Sequence, residues 1–311
     1  MIRVFAFLVG LAFAGVLAIS LIIGVVDNIQ NPPEEMVSEE FHLHAKHLDL
    51  PSNGPFGKFD NQQLQRGFQV YAEVCAACHS LSLVSFRELE HIGYNEAEVK
   101  KIAADWKIPV PSINPDTGEA ATRKALPSDT FPSPFANPTA ARAANNNAFP
   151  PDLSLIAKAR EGGAAYTYSL LTGYRDANRY RNAHGEALPA DAKPAQGLYF
   201  NPYFANLNLA MPPPLTSDGQ VTYADGTKPT VDQMAKDVSA FLVWTAEPEL
   251  DRRRAAGLAT VIFLLFATVL GYLAYRQIWA EAKRKVRPTG VLDPVNQAKT
   301  KHAKREAGVK G

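Results

Sequence analysis

The chain has 311 residues, of which 46% are hydrophobic, and a formal net charge of +1. This length and composition allow one to three domains with buried cores, and the near-neutral charge argues against a nucleic-acid partner. The charge is unevenly spread, because from Arg276 to the C terminus there are ten Lys and Arg residues against three Asp and Glu residues.

The N-terminal segment 4–26 contains 23 consecutive uncharged residues. A helix that crosses a membrane needs about 20 such residues, so this segment predicts an apolar helix within residues 1–29. We expect a signal-anchor that stays attached. The alternative is a cleaved export signal, for which "LAIS" at 17–20 is the small-residue site.

A linker is expected over residues 30–53, before the main domain begins. It contains three histidines, His42, His44 and His47. They could form a weak metal site, although a solvated segment is the favoured interpretation.

The only two cysteines of the chain are Cys75 and Cys78, and His79 follows directly. A structural zinc site needs four ligands, and the chain has no second cysteine pair. A thioredoxin-like dithiol needs a strand–helix setting, whereas the preceding residues have a helical pattern. The C-x-x-C-H spacing is instead the attachment sequence for c-type haem.

A helix is predicted over about 60–78. Its apolar residues recur at spacings of 4, 3, 4 and 3, and Asp60 with Gln63 resembles an N-terminal capping pair. On one helical turn, residues i and i+3 share a face, so the two cysteines could reach the two vinyl groups of one porphyrin, with His79 as the proximal iron ligand. The stripe comprises Leu64, Phe68, Tyr71, Cys75 and Cys78.

The best candidate for a sixth iron ligand is Met211, which stands in "NLNLAMPPPL". The three following prolines prevent a helix and stiffen an extended loop, which suits a loop that presents one thioether. Met234 is the alternative methionine, but it lies at a core-facing position of a helix predicted at 230–246. We expect this helix to pack against the cysteine-bearing helix.

The second apolar segment, 255–275, is also long enough to cross a membrane. Interfacial aromatic residues (Tyr272, Tyr275 and Trp279) and the basic run "KRKVR" follow it, as is typical of the cytoplasmic end of a span. The "RRR" run at 252–254 opposes this orientation, but the larger basic tail outweighs it. We expect an anchor at 251–280 and a disordered, basic cytoplasmic tail at 281–311.

Several further motifs recur in a fixed order and together resemble the cytochrome c1 family, the haem subunit of the cytochrome bc1 complex, in its alphaproteobacterial type. The resemblance covers roughly residues 54 to 287. The motifs are "CAACHS" (75–80), "AARAANNNAFPPDLS" (140–154), "KAREGG" (158–163), "YSLLTGY" (168–174), "GLYFNPYF" (197–204), "AMPPPL" (210–215) and "DGTKPTVDQMAKDVSAFLVWTAEPE" (225–249).

The resemblance implies one covalently bound haem c. It implies that Cys75 and Cys78 form the thioethers and that His79 and Met211 are the axial ligands. Arg160 resembles an arginine that pairs with a haem propionate, a role suited to its planar guanidinium. The resemblance also implies that Tyr166, Asn145 and Pro151 lie around the haem. For Tyr166 and Asn145 the alternative is ordinary packing and loop hydrogen bonding.

The expected fold is mainly α, with a cytochrome c-like haem domain at 54–250, long irregular loops over 107–151, few strands and a C-terminal transmembrane helix. The N-terminal apolar helix is a second membrane segment or an export signal. We expect the haem domain on the periplasmic side of the inner (cell) membrane.

The implied function is a one-electron relay without substrate chemistry of its own. The resemblance implies a redox subunit of ubiquinol–cytochrome c reductase that receives its electron from the Rieske iron–sulfur protein. Cytochrome b and the Rieske protein would be its partners in a dimeric complex, and cytochrome c would accept the electron. The alternative is a membrane-anchored c-type cytochrome that serves another respiratory oxidase or dehydrogenase. The acidic run 88–98 could steer a basic cytochrome c, although a solvated helix face is the favoured interpretation.

Overall fold

A computed structural model describes residues 2–31, 36–285 and 293–306, without the side chains of 281–285 and 303–305. The chain divides into two compact units, Met1–Pro248 and Glu249–Gly311. The described part is mainly helical with few, short strands, which confirms the predicted fold class.

The helices in chain order are α1 (Ile2–Gln30), α2 (Val37–Phe41), α3 (Asn61–Glu73), α4 (Glu96–Ala104), α5 (Pro138–Ala144), α6 (Ile156–Ala159), α7 (Gly163–Leu171), α8 (Val231–Ala246), α9 (Leu250–Lys285) and α10 (Pro294–Glu306). Short 3₁₀ helices span Cys75–Ala77, Phe86–Ile92 and Ala190–Ala192. The strands are β1 (Leu81–Ser85), β2 (Val110–Ile113), β3 (Ala120–Arg123), β4 (Thr130–Phe131), β5 (Tyr199–Phe200) and β6 (Asn208–Leu209), and they pair antiparallel as β1–β4, β2–β3 and β5–β6.

Within the described residues, two helices are long and apolar enough to cross a membrane, α1 and the portion Leu250–Ala280 of α9. The apolar stretch of each helix contains no residue that is buried in the protein. Apolar side chains that find no protein core are accommodated by lipid. The two segments therefore fit membrane-spanning helices, as expected from the sequence.

The basic tail is more ordered than expected within its described part. Residues Pro294–Glu306 form α10, whereas the sequence was expected to be disordered there. Asp293 caps this helix by accepting a hydrogen bond from Val295 N at 2.9 Å, and proline occupies the first helical position. Both features favour a helix start. Residues 286–292 and 307–311 of the tail lie outside the described residues.

Helices α3 and α8 pack against each other, as predicted, through a close crossing at Gly67. A Cβ atom added to Gly67 would lie 2.2 Å from Asp237 O and 2.6 Å from Phe241 Cβ. Only glycine allows two backbones to approach so closely. Next to the crossing, the buried Asp237 carboxylate accepts hydrogen bonds from Gln63 Nε2 at 3.1 Å and from Arg66 Nε at 2.9 Å.

The cysteine-bearing helix is shorter than predicted. Helix α3 ends at Glu73, and the cysteines lie on a tighter 3₁₀ turn, closed by Cys78 N donating to Cys75 O at 3.1 Å. Asp60 caps α3 as expected, through Gln62 N at 3.0 Å, but Gln63 does not complete a capping pair because its amide bonds Asp237. Leu64, Phe68 and Tyr71 of the predicted stripe are buried, whereas Cys75 is partly buried and Cys78 is exposed, both beyond the end of α3.

The region 107–151 contains more regular structure than the irregular loops expected from its prolines. Strands β2 and β3 form a hairpin in which Pro111 pairs with Thr122. Its turn is stabilised by Asn114 Oδ1, which accepts from Asp116 N at 2.9 Å, and by Gly118 at a φ of +72°. A two-stranded edge tolerates proline, so proline density alone did not exclude strands.

The buried residues form two clusters. The larger one surrounds α3 and α8 and contains Trp244 and Met234. The smaller one comprises Phe41, Ala177, Leu188, Phe200 and Leu207. The smaller cluster therefore joins Phe41, near the start of the main domain, to the segment that precedes Met211.

Candidate functional site

A cavity of about 440 Å³ lies beside the Cys75–Ala77 turn, between α7, α8 and the segment that contains Met211. Val238 and Leu242 of α8 form part of its wall, together with Leu170 and Leu171 of α7. All eight residues that the sequence pointed to line this one cavity: Cys75, Cys78, His79, Asn145, Pro151, Arg160, Tyr166 and Met211.

The orientation of His79 is set by a hydrogen bond. Its Nδ1 lies 2.7 Å from the carbonyl oxygen of Pro151. Because a carbonyl only accepts, Nδ1 carries the proton and Nε2 keeps its lone pair free, the tautomer that a histidine needs to bind iron. Burial lowers the pKa of His79, although the Pro151 carbonyl and Asp152 oppose this shift. The imidazole is therefore held neutral.

Asp152 connects the Pro151 segment to the chain that follows His79. Its Oδ2 accepts hydrogen bonds from Ser80 Oγ and Ser82 N, both at 2.7 Å. Burial alone would raise the pKa of Asp152, but these hydrogen bonds and those from Ser154 outweigh it and lower the pKa. The anionic carboxylate thus keeps the carbonyl of Pro151 next to His79.

The two cysteines face the same cavity with different exposure. Cys75 is partly buried and Cys78 is exposed, and neither forms a disulfide. Burial raises the pKa of the Cys75 thiol to about 12, and the neighbouring Cys78 adds to the shift.

Within the described residues, no three His, Cys, Asp or Glu side chains group as a metal site would require. This holds for the zinc alternative at the cysteine pair and for the histidine trio. His42 and His44 stack edge to face, with ring centroids 6.3 Å apart. The described residues therefore support neither metal site.

The two candidate methionines occupy different environments. Met211 lines the cavity, and its backbone carbonyl accepts a hydrogen bond from Tyr174 Oη at 3.0 Å. Burial raises the pKa of Tyr174, which keeps its hydroxyl a donor. Met234 is fully buried in the larger core cluster and is not part of the cavity wall. The cavity therefore contains two side chains that can bind iron, the imidazole of His79 and the thioether of Met211.

Arg160 supplies a positive charge in an otherwise apolar wall. Its side chain is exposed, it donates to Ala159 O at 3.1 Å, and among the described residues it has no carboxylate partner. Tyr166 lies beside it: burial raises the pKa of Tyr166, and the Arg160 charge and hydrogen bond oppose this shift. An arginine without a protein anion suits a ligand that carries carboxylates.

Asn145 lies in the cavity wall, but its side chain also has a structural role. Its Nδ2 donates to Ala141 O at 2.7 Å at the end of α5. The next two residues, Asn146 and Asn147, adopt left-handed φ angles of 51° and 62°. Asn146 Nδ2 then reaches Gly197 O at 3.0 Å. The asparagine run therefore shapes the cavity rim through its backbone.

The sequence matches the Cytochrome C1 family over residues 50–282. It is 45% identical over 251 residues to cytochrome c1 of Rhodospirillum rubrum, an alignment that covers 78% of this chain and 89% of the relative. The chain belongs to the cytochrome c1 family.

The chain is also similar to relatives from a yeast and from another bacterium. A mitochondrial cytochrome c1 heme protein of Saccharomyces cerevisiae is 43% identical over 253 residues, which are 81% of this chain and 77% of the relative. A protein named cytochrome b/c1 from Bradyrhizobium diazoefficiens is 44% identical over 241 residues, covering 74% of this chain and 34% of the relative. The predicted resemblance, in its alphaproteobacterial type, is confirmed.

Membership of this family makes the chain a haem-containing electron-transfer subunit with one haem c, which confirms the predicted cofactor. The cavity fits that group on its own features. Two thiols at C-x-x-C spacing, a neutral imidazole with a free Nε2, a thioether and a guanidinium without a carboxylate partner line one mostly apolar cavity. This donor set matches the vinyl groups, iron and propionates of a haem.

The acidic run 88–98 is largely engaged in contacts within the protein. Glu88 and Glu98 accept from the backbone N–H groups of Ser85 and Asn95, at 2.7 and 2.8 Å, in two capping boxes. Glu96 pairs with Lys100 at 2.6 Å. These contacts favour the structural interpretation of the run over a dedicated steering surface.

Three residues of the site were not singled out from the sequence: Asp152, Tyr174 and Lys46. Each forms hydrogen bonds to another segment that supports the site, and none of them is part of the cavity wall. For Asp152 the available signal was its position between a proline pair and "LS", where Asp commonly closes an Asx turn. Lys46 lies in a segment that was expected to be a linker.

Proposed function

We propose that this chain relays one electron from the Rieske iron–sulfur protein to a cytochrome c, within a dimeric membrane complex that also contains cytochrome b. The observation that carries the proposal is the shared cavity, which brings His79, with Nε2 free, and the Met211 loop together with the cysteine pair. The similarity to cytochrome c1 proteins and to a cytochrome b/c1 protein supports the assignment of partners.

Haem c, when bound, supplies a one-electron Fe(III)/Fe(II) couple. Cys75 and Cys78 would hold it covalently through their sulfur atoms, and His79 and Met211 would supply the iron ligands. A methionine thioether favours ferrous iron and raises the reduction potential, which suits a carrier that accepts an electron from an iron–sulfur centre. The Pro151 carbonyl keeps the His79 ring oriented during this change of charge.

The remaining cavity residues control polarity around the redox centre. Val238, Leu242 and Phe204 exclude water from one side, which limits the solvent reorganisation that accompanies electron transfer. Arg160 would pair with a haem propionate and offset its negative charge. No residue of the site is required to move a proton, so the subunit has no substrate chemistry of its own.

The proposed topology places the haem unit on the periplasmic side of the inner membrane. Helix α9 anchors the chain in the membrane, and the basic tail lies in the cytoplasm. Helix α1 is a second membrane anchor when it is not cleaved from the mature protein. We propose the boundaries 1–29, 30–53, 54–250, 251–280 and 281–311 for signal helix, linker, haem domain, anchor and tail. N-terminal sequencing of the mature protein tests the first boundary.

The function is tested on the complex purified from membranes through a tag on this chain. Ubiquinol added to the complex is expected to reduce haem c, and oxidised cytochrome c added next is expected to reoxidise it. Both reactions are monitored by absorbance. The reduction should disappear from a preparation that lacks the Rieske protein, which is the matched control.

Two results would contradict the proposal. The first is a chain that purifies without cytochrome b and is reduced by a different dehydrogenase, which would favour a c-type cytochrome of another respiratory complex. The second is quinol-driven reduction that persists without the Rieske protein.

A further inference from the structure

The segment Val37–Lys46, here named the strap, is bound to the haem unit along its length, although the sequence predicted a linker there. Leu43 N donates to Pro202 O at 2.7 Å, and Lys46 N donates to Ser169 Oγ at 2.7 Å. Asn182 Nδ2 donates to Glu40 Oε1 at 2.6 Å. These contacts cross more than a hundred positions of sequence, so the strap is an integral part of the fold.

Phe41 is the apolar contact of the strap. Its side chain is 2% exposed and belongs to the smaller core cluster with Phe200 and Leu207. Tyr180 bridges the two phenylalanines, with ring centroids 6.4 Å from Phe41 and 5.0 Å from Phe200. The other four residues of this cluster all lie within 177–207, so Phe41 alone connects the strap to it.

The same cluster supports the segment that leads to Met211. Phe200 lies in β5, which pairs with β6, and Leu209 of β6 already lines the haem cavity. Leu207 has a φ of +62° and is 2% exposed. A left-handed conformation is unfavourable for a leucine and persists only where its surroundings impose it. Packing in the cluster with Phe41 imposes this geometry four residues before Met211.

Lys46 forms a second connection to the Met211 segment. Its Nζ donates to Thr172 Oγ1 at 2.6 Å and lies over the rings of Tyr168 and Tyr203, 5.6 and 5.3 Å from their centroids. Two residues after Thr172, Tyr174 donates its hydroxyl to Met211 O. The ammonium group therefore braces the turn that holds the Met211 backbone.

We infer that the strap positions the Met211 ligand, with Phe41 and Lys46 as positioning residues that set how firmly the thioether is held in the sixth iron position. The inference rests on the proposed function, in which Met211 is that ligand. Loosening the strap would release Leu207 and the Tyr174 turn, so the Met211 loop would visit positions out of reach of the iron. The fifth ligand, His79, is held by other contacts and would stay in place.

The test uses the full-length holoprotein in detergent, with the variants Phe41→Ala, Phe41→Leu and Lys46→Met. We expect Phe41→Ala and Lys46→Met to weaken the red absorption band of Met-ligated ferric haem, to lower the reduction potential and to increase carbon monoxide binding by the reduced protein several-fold. Phe41→Leu should restore most of the band, because it refills the cluster. If Phe41→Ala does not fold, Lys46→Met carries the test.

The matched control is Leu89→Ala, which empties a fully buried position of the larger cluster that does not line the cavity. It is expected to lower the denaturant midpoint without changing the band. The positioning inference alone would be overturned if all strap variants kept the native band, potential and carbon monoxide binding while Met211→Leu lost the band. A band that survives in Met211→Leu would overturn the ligand assignment and, with it, this inference.

Discussion

Met211 and Met234 provide an internal comparison between a methionine that lines the cavity and one that fills the core. Met211→Leu is expected to abolish the red band of Met-ligated ferric haem and to lower the potential by at least about a tenth of the roughly 0.8 V that axial ligands control. Met234→Leu is nearly volume-conserving and should leave both unchanged. Redox titration with absorbance detection measures the reduction potentials of the two variants. Equal potentials would contradict the assignment of Met211 as the ligand.

Single residues were predictable where the chemistry demands a particular side chain. Cys75, Cys78 and His79 follow from local spacing, and Met211 from the prolines that stiffen its loop. Arg160 and Tyr166 came only through the family resemblance, since nothing in their own neighbourhood indicates a haem. Asp152 and Tyr174 escaped prediction because they act on the backbone of other segments, and such contacts exist only in the folded chain.

Among the secondary-structure elements, the α3–α8 pair depends most on one glycine. Gly67→Ala would place a Cβ atom 2.2 Å from Asp237 O, a backbone atom that cannot rotate away. We expect a loss of about 1–3 kcal/mol in the free energy of unfolding, as is typical for overpacking. Denaturant unfolding of the detergent-solubilised chain, followed by tryptophan fluorescence, measures it.

Gly257→Ala is the control for this crossing. It makes the same replacement inside a helix, but an added Cβ finds no atom within 4 Å. We expect no loss of stability from it, because alanine is the better helix former. Equal midpoints for Gly67→Ala and the native chain would show that the two helices can separate without cost.

Element types were predicted better than element ends. The 3.6-residue period of apolar residues predicted both α3 and α8, and it indicated that the two helices pack together. It did not reveal that α3 stops at Glu73, because the switch to a 3₁₀ turn depends on hydrogen bonds to Cys75 O. The β2–β3 hairpin was missed because prolines were weighted above its "NPDTG" turn, in which Asn114 and Gly118 are typical turn residues.

The molecule as a whole is expected to lose stability in alkali. Burial raises the pKa of Tyr94 to about 12 from an ordinary value of 10, and the Glu98 charge adds to the shift. A raised folded-state pKa contributes stability that is present below pH 10 and is lost as pH rises from 10 towards 12, because the unfolded chain releases the phenolic proton first. Burial raises the pKa of Tyr71 in the same direction.

Tyr94→Phe tests this pH dependence. Between pH 10 and 12 the variant should lose less unfolding free energy than the native chain, by about 1–2 kcal/mol after allowance for the partial exposure of Tyr94. Denaturant midpoints at closely spaced pH values measure the difference. Parallel stability curves for the two proteins would assign the alkaline loss to other groups.

The meeting of α3 with α8 also has a consequence for biosynthesis. Gln63 and Asp237, which bond across the crossing, are 174 positions apart. At a synthesis rate of about 5–20 residues per second, the second partner emerges about 10 to 35 s after the first. Throughout that interval the C-x-x-C-H segment exists without the α8 wall that later encloses it, so its thiols are open to the enzymes that join haem to protein. A third cysteine would share that exposed interval and compete in disulfide formation, and this chain has none.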